Sequence, residues 1–232
     1  VSAWPPAPGT KTTDLSRGQA MPERPWTDLP LVALDLEGTG AQDRETEAIL
    51  EIAVVPLVHG ALDMTGAFAT LINPSRPVPR GAWISPGLTD AVLRHAPMPS
   101  TVGPELAERI DGRWIVGHNV DVDWRLLHRR FPAIRPSGLL DTMRLAGGGG
   151  RASRSLTALV ERHGLTEEIA RLVPDGQPHR ALWDSVACGL LLGVLIADRW
   201  GCCTSSGEVR ALAERPLNSS ASSGGFEQQT LL

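Results

Sequence analysis

Asp35 and Glu37 stand two residues apart at the end of the apolar run LPLVALDLEGTG and open a series of three acidic signatures. Asp123 follows, behind His118 and Asn119 in IVGHNVDVDWRLL, and then His179 with Asp184 in HRALWDSVACGLLL. Together they offer four carboxylates and one imidazole, a set able to hold two divalent cations and to take a proton from a water. Residues i and i+2 of a strand point to one face, so Asp35 and Glu37 can reach the same ion while Leu36 turns to the core. Acids at the end of an apolar strand are costly to bury without a partner. Two carboxylates about 4 Å apart repel by roughly 4 kcal/mol at an effective dielectric near 20, and a divalent cation removes that repulsion. Oxygen ligands favour magnesium or manganese over zinc, which prefers His and Cys. Imidazole, with an unperturbed pKa of about 6.5, suits proton transfer near neutral pH. Taken singly, an Asp-x-Glu is most often a pair of solvated acids and a histidine such as His179 a surface loop residue. The sequence alone does not bring the three stretches together in space.

The elements that would position them can be read from pattern. Leu29 to Leu36 reads as a buried strand. Ala48 to Val58, β-branched and bounded by Gly60, and Ala67 to Ile72, stopped by Asn73-Pro74, read as two more. Short connections predict an antiparallel meander. Thr89 caps a short helix through Leu93, and Glu105 to Ile110 supports another. Trp114 to Val116 and Leu139-Leu140 are short strands on either side of a helix over Asp121 to Arg130. Ser155 to His163 is a helix stopped by Gly164, and Ala181 to Trp200 a long helix with a broad apolar face. Three strands followed by alternating helix and strand predict an α/β fold with a mixed sheet. His179 and Asp184 are five apart and cannot share a helix face, so His179 is expected in a loop and Asp184 on the helix behind it. Gly38-Thr39-Gly40 lets the chain leave its strand sharply and frees backbone N–H groups beside the acids. His118 and Asn119 form a polar strand-to-helix turn in which Asn119 could cap the helix, and Asp141-Thr142 reads as a cap.

The chain has 232 residues, enough for one sizeable domain with tails. Residues 1–27, rich in Pro, Gly, Thr and Ser, are expected to be a disordered leader, 28–202 the domain, and 203–232, with TSSG and NSSASSGG, a flexible tail. No run of about 18 apolar residues and no apolar segment behind a basic start occur, so no membrane association is expected. Cys188, Cys202 and Cys203 form no paired framework, which fits a cytoplasmic location. The net charge of −4 argues against a protein that coats nucleic acid. Yet Lys11 is the only lysine, and eight arginines against three acids fall between Arg113 and Arg154. That stretch reads either as a solvated helix face or as a local patch that attracts phosphate.

The three signatures resemble those of the DEDDh 3′–5′ exonucleases. LDLEGTG is similar to the family's Asp-x-Glu-Thr-Thr-Gly, GHNVDVDWRLL to its His-Asn-x-x-x-Asp, and HRALWD to its His-x-x-x-x-Asp. LINPSRPVP, SPGLTD, LLDTMRLA and SLTALVERHGL lie between them in the order found in the epsilon proofreading subunit of bacterial DNA polymerase III. The resemblance covers about residues 29–200. It implies an RNase H-like mixed sheet flanked by helices and a two-ion hydrolysis of 3′ ends of single-stranded DNA, with Mg2+ or Mn2+, releasing nucleoside 5′-monophosphates in proofreading or repair. It implies that Asp35 bridges both ions, that Glu37 and Asp184 complete the first, that Asp123 holds the second through water, and that His179 takes the proton from the attacking water. It further implies contacts of Thr39, Leu88, His118 and Asn119 with the terminal nucleotide. Gly38 and Pro86 depart from the family's usual Thr and His, which bears on substrate preference. Trimming of RNA ends and a non-catalytic role beside a polymerase are the alternatives. The final EQQTLL faintly resembles a sliding-clamp peptide, which would add a clamp to the candidate partners.

Overall fold

The computed structural model describes residues 24–40, 46–81, 84–148, 152–201 and 204–217. At its centre lies β1 (Leu31–Gly38), paired antiparallel with β2 (Ile49–Val58). The short β3 (Ala61–Leu62) and then β4 (Phe68–Leu71) share the far edge of β2, β3 against Leu57 and Val58 and β4 against Glu51 to Val54. The expected meander is therefore present, with an extra two-residue strand. His59 and Gly60, both at positive φ, form the tight turn between β2 and β3, where the strand twist demands that conformation. A Cβ on Gly60 would stand 2.7 Å from the Trp26 ring.

Beyond β4 come α1 (Asp90–Leu93) and α2 (Pro99–Ile110), then β5 (Trp114–Gly117), α3 (Asp121–Arg130), β6 (Gly138–Asp141), α4 (Thr142–Leu145), α5 (Leu156–Arg162), α6 (Thr166–Leu172) and α7 (Ala181–Trp200). β5 pairs parallel with β1, and β6 parallel with β5. The mixed sheet therefore runs β3-β2-β1-β5-β6-β7, where β7 (Glu214–Arg215) adds antiparallel to β6 after α8 (Ser206–Ala213). Alternation along β1 splits the core in two. Leu31 and Ala33 face α5 to α8 with Val55, Leu57, Val116 and Leu140. Val32, Leu34 and Leu36 face α2 and α3 with Ile52, Val54, Ile115 and Leu139. Helices on both faces explain why β1 and β2 read as almost unbroken apolar runs.

Three expectations change. The helix placed at Glu105 begins six residues earlier, because Pro99 occupies a first-turn position and Pro104 is tolerated inside. α6 has no counterpart among the helices expected from sequence. The domain does not end at residue 202. Ser205 and Glu208 form a reciprocal cap, Val209 and Ala213 bury, and the chain then adds β7 to the sheet. It is also tied to the other end of the domain: Trp26, expected in the leader, is buried and donates to the Thr204 carbonyl at 3.1 Å. Residues 1–23 and the EQQTLL segment lie outside the described residues, as do Cys202 and Cys203. α7 is long and apolar enough to cross a membrane, but two thirds (67%) of its most apolar stretch is buried inside this domain.

Candidate active site

Asp35 and Glu37 emerge on the face of β1 that carries Leu31 and Ala33, the face covered by α7. This is the same-face geometry their spacing predicts. A bulge between Glu37 and Gly38 ends the pairing and turns the chain away. α7 then sets Asp184, in its first turn, opposite them. One carboxylate oxygen from each of Asp35, Glu37 and Asp184 lies within 4.8 Å of the others. Asp123 reaches the same end of β1 from α3, on the opposite face. β5 pairs only with Leu31 to Ala33, so β1 outruns it, and the backbone N–H of Leu36 donates to the Asp123 carboxylate. Asp123 and Asp184 each occupy the first turn of their helix, where the helix dipole favours negative charge.

The loop before α7 is fixed by a further acid. Glu51 lies directly across from Glu37 in the sheet and is buried. Arg180 grips it with Nε and Nη2, both at 2.8 Å, and the Ala181 N–H, the first of α7, points to it at 3.4 Å. His179 sits between that grip and Asp184, exposed, at φ 64°. Its backbone N–H donates to Asp184 Oδ2 at 3.1 Å. Ser85 donates to Glu37 Oε2. Sequence reasoning singled out none of Glu51, Arg180 and Ser85. A lone acid inside the apolar ILEIAVV was the signal for Glu51.

The electrostatics are those of acids short of cations. Burial, then the charges of Asp184, Asp123, Glu37 and Glu51, push Asp35 well above the usual carboxylate range. Burial, then Glu37, does the same to Asp123. Burial raises Glu37 to about 7 against the lowering effect of Ser85, and burial with Glu37 raises Asp184 to about 8. Four such groups, all offering hard oxygen, fit divalent metal ions, whose charge would cancel the repulsion and offset the cost of burying the carboxylates.

The Exonuclease family model (RNase_T) matches residues 32–192. This chain belongs to the exonuclease family. A DNA polymerase III subunit epsilon-like protein of Rhodobacter capsulatus is 33% identical over 180 residues, 75% of this chain and 25% of that protein. DNA polymerase III subunit epsilon of Aquifex aeolicus is 28% identical over 181 residues, 75% of this chain and 83% of that protein. The chain thus spans about a quarter of the first relative and most of the second. Among solved structures, the nuclease domain of 3′hExo, a DEDDh family member bound to rAMP, superposes with a TM-score of 0.54 at 18% identity, over 75% of this chain and 94% of that one. The RNase H-like mixed sheet is the exonuclease fold, and the acidic cluster is that of a hydrolytic, metal-dependent family.

Within this member of the exonuclease family the other sequence-predicted residues are tied into the frame. His118 bonds Thr142 Oγ1 at 2.9 Å and the Arg154 carbonyl at 2.7 Å, joining β5 to α4 and the segment before α5. Burial lowers its pKa. Asn119 does not cap α3 with its side chain: it adopts φ 63°, its carbonyl accepts from Val122, and its N–H donates to Asp141 Oδ1. Asp141 caps α4 as expected. Thr39 is buried, with Oγ1 accepting from the Ala48 N–H at 2.9 Å. Leu88 is buried between Leu50 and Leu93 and offers little open surface. A Cβ on Gly38 would stand 3.0 Å from Leu126 Cδ2, so the glycine lets α3 pack close to the turn.

Proposed function

We propose that the chain is a 3′–5′ exonuclease that removes nucleoside 5′-monophosphates from single-stranded DNA, using two Mg2+ or Mn2+ ions. The observation that carries this reading is the meeting of Asp35, Glu37 and Asp184 within 4.8 Å, with Asp123 beside them and His179 on the adjoining loop. Asp35, Glu37 and Asp184 would hold one ion, and Asp123, which lies outside the tight group, would hold the second with Asp35. When bound, such ions lower the pKa of a water and neutralise charge on the attacking and leaving oxygens. His179 takes the proton from the attacking water. That oxygen forms a new bond to phosphorus, and the bond to the 3′ oxygen of the preceding nucleotide breaks. The Glu51–Arg180 grip limits where His179 can go without burying it.

The relatives named as DNA polymerase III subunits support DNA over RNA and association with a polymerase. A role in proofreading or repair in the cytoplasm belongs to the same reading, and a sliding clamp as partner rests on the EQQTLL segment alone. A matched assay on 5′-labelled single-stranded DNA and RNA, with Mg2+, Mn2+ or chelator, tests the reading beside His179→Ala. Stepwise shortening of DNA that needs both metal and His179 is expected. Faster shortening of RNA would replace DNA as the substrate. No shortening of either polymer in any metal would leave a non-catalytic accessory module.

A further inference from the structure

Asp123 is the one acid of the four that neither β1 nor α7 supplies, and it lies outside the tight group of Asp35, Glu37 and Asp184. Its distance from them is therefore set by how the first turn of α3 sits. That turn has no side-chain cap, since Val120 stands at the N-cap position. It is held instead from two sides. On the side of β1, the Leu36 N–H donates to the Asp123 carboxylate. On the far side, Arg215 of β7 donates through Nη2 to Asp121 Oδ2. Two residues further along, the Leu217 carbonyl accepts from Trp124 Nε1 at 2.9 Å, and Leu217 packs against the core that holds Trp124. β5 and β6 lie between β1 and β7 in the sheet, so the turn is spanned from both directions.

Helix geometry makes these contacts a lever on Asp123. At about 3.6 residues per turn, Asp121 and Asp123 project about 160° apart, which is why one meets β7 and the other β1. Trp124 projects about 100° from Asp123, so the two grips from residues 215 and 217 take the turn at different angles. Burial of Trp124, Leu126 and Leu127 fastens the body of α3. The first turn, whose N–H groups lack partners inside the helix, is the part of a helix that frays. A carboxylate about 5 to 6 Å from the helix axis moves about 1 Å for each 10° that its turn rotates. A magnesium ion takes its oxygen ligands at about 2.1 Å and tolerates little of that. The Arg215–Asp121 pair is open to water, with 33% and 38% of the two side chains exposed. Such a pair contributes little to stability. α8, just before β7, is anchored by its own burial of Val209 and Ala213. Loss of the Arg215 charge would therefore leave the fold standing and release the turn that carries Asp123.

We propose that Arg215, with the Leu217 carbonyl behind it, positions Asp123 by holding the first turn of α3, so that the edge strand β7 serves the second ion. The inference rests on the two-ion reading, and metal binding tests it without turnover. Mn2+ binding to the full chain, with thymidine 5′-monophosphate present, is followed by titration calorimetry. The proteins compared are the wild type, Arg215→Gln, Arg215→Lys, Asp121→Asn and the pair Asp121→Asn/Arg215→Gln. Thermal melts in chelator check that each is folded. In Arg215→Gln one of the two ions is expected to bind about tenfold more weakly, the low end of the cost of removing a group that supports a metal ligand. The other ion should bind as in the wild type, and the chelated protein should melt within about 2 °C of it. Arg215→Lys should recover most of the affinity. The double variant should be no worse than the weaker single variant, since both substitutions break one contact. At limiting Mn2+, kcat should fall about tenfold on a labelled oligonucleotide, with KM little changed. It should fall as much on the p-nitrophenyl ester of thymidine 5′-monophosphate, a small ester that reaches only the ions. Unchanged affinity for both ions in a folded Arg215→Gln protein overturns the inference. Equal weakening of both ions, or a loss confined to the oligonucleotide, overturns it too, because the arginine would then act through the fold or on the strand. A wild type that binds two ions, shows the expected weakening in the variant and cleaves neither substrate would count against the exonuclease reading and leave the positioning role standing.

Discussion

Two sets of carboxylates sit within one strand's length of each other and have opposite surroundings. Glu47 and Glu51 are buried, and each is held by an arginine through two nitrogens, Arg125 and Arg180. Asp35, Glu37 and Asp184 are gathered within 4.8 Å with Asp123 beside them, yet among the described residues no ion pair joins an arginine to any of the four. Cations are not scarce nearby, since three more arginines stand around Glu47 beside the one that grips it. Glu47 and Glu51 are thus neutralised by arginines and Asp141 is held by backbone N–H donors as a cap, while the group of four acids has neither arrangement in full. The difference also predicts how each set responds to substitution, metal and pH.

The largest effect is expected at the centre of the unpaired set. Asp35→Asn should lower turnover on a labelled oligonucleotide by about 10³-fold, since it removes the acid shared by both ion positions. It should also raise the melting temperature of the metal-free protein at pH 8, because a neutral amide replaces a buried acid that burial and its neighbouring acids disfavour. An Asp35→Asn protein that melts lower in chelator than the wild type would show that the four acids are balanced by cations of the chain after all.

Glu51→Gln comes next, at about 10- to 100-fold in kcat, the usual cost of removing a group that orients a ligand-bearing segment. The glutamine keeps the shape but loses the charge that Arg180 and the start of α7 share. KM for a short oligonucleotide should change little, since the loosened segment carries His179 and Asp184 and the loss falls on their placement. An equal rise in KM would mean that Glu51 supports the substrate surface and not the loop.

A third effect separates the sets by pH. Glu37 is raised to about 7 and Asp184 to about 8, far above their ordinary values near 4. In that window the folded protein holds protons that the unfolded chain has released, so its stability falls as pH rises from about 4 to 8. Metal needs the deprotonated groups. Thermal melts in chelator should therefore drop by about 4 °C or more between pH 5.5 and 8.5, and Mn2+ should restore more at pH 8.5 than at pH 5.5. A chelated protein with a flat profile would place the four acids in a wetter setting than their burial implies.

The sequence made the unpaired set legible and hid the paired one, for physical reasons. Parity in a strand puts Asp35 and Glu37 on one face whatever the tertiary packing, and the five-residue gap separates His179 from the helix that carries Asp184. The spans of α3 and α7 follow from their apolar spacing. Glu51 is hidden because its meaning depends on lying across from Glu37 and on an arginine 129 residues away. The arginines around Glu47 are half legible: the excess between residues 113 and 154 is visible, but only folding selects Arg125, Arg129 and Arg130 from it and adds Arg76. α8 and β7 escape a reading by composition because serine and glycine dominate around them. The reciprocal Ser205–Glu208 cap before an apolar Val209 is the signal that outweighs it.

The smallest effect should come from the other paired glutamate. Glu47→Gln removes the acid but leaves Arg125 a neutral amide to bond, and Arg125, partly exposed, can draw on water. A stability loss of about 2 kcal/mol, typical of a hydrogen bond to a charged group, is expected in the urea midpoint. Turnover on the small ester should move less than in Glu51→Gln, since the helix that carries Asp123 is also held by the burial of Trp124, Leu126 and Leu127, whereas His179 stands on a loop. A loss of ester turnover as large as in Glu51→Gln would mean that Glu47 also places Asp123 through Arg125, and the contrast between framing and working charges would then blur at this end of the molecule.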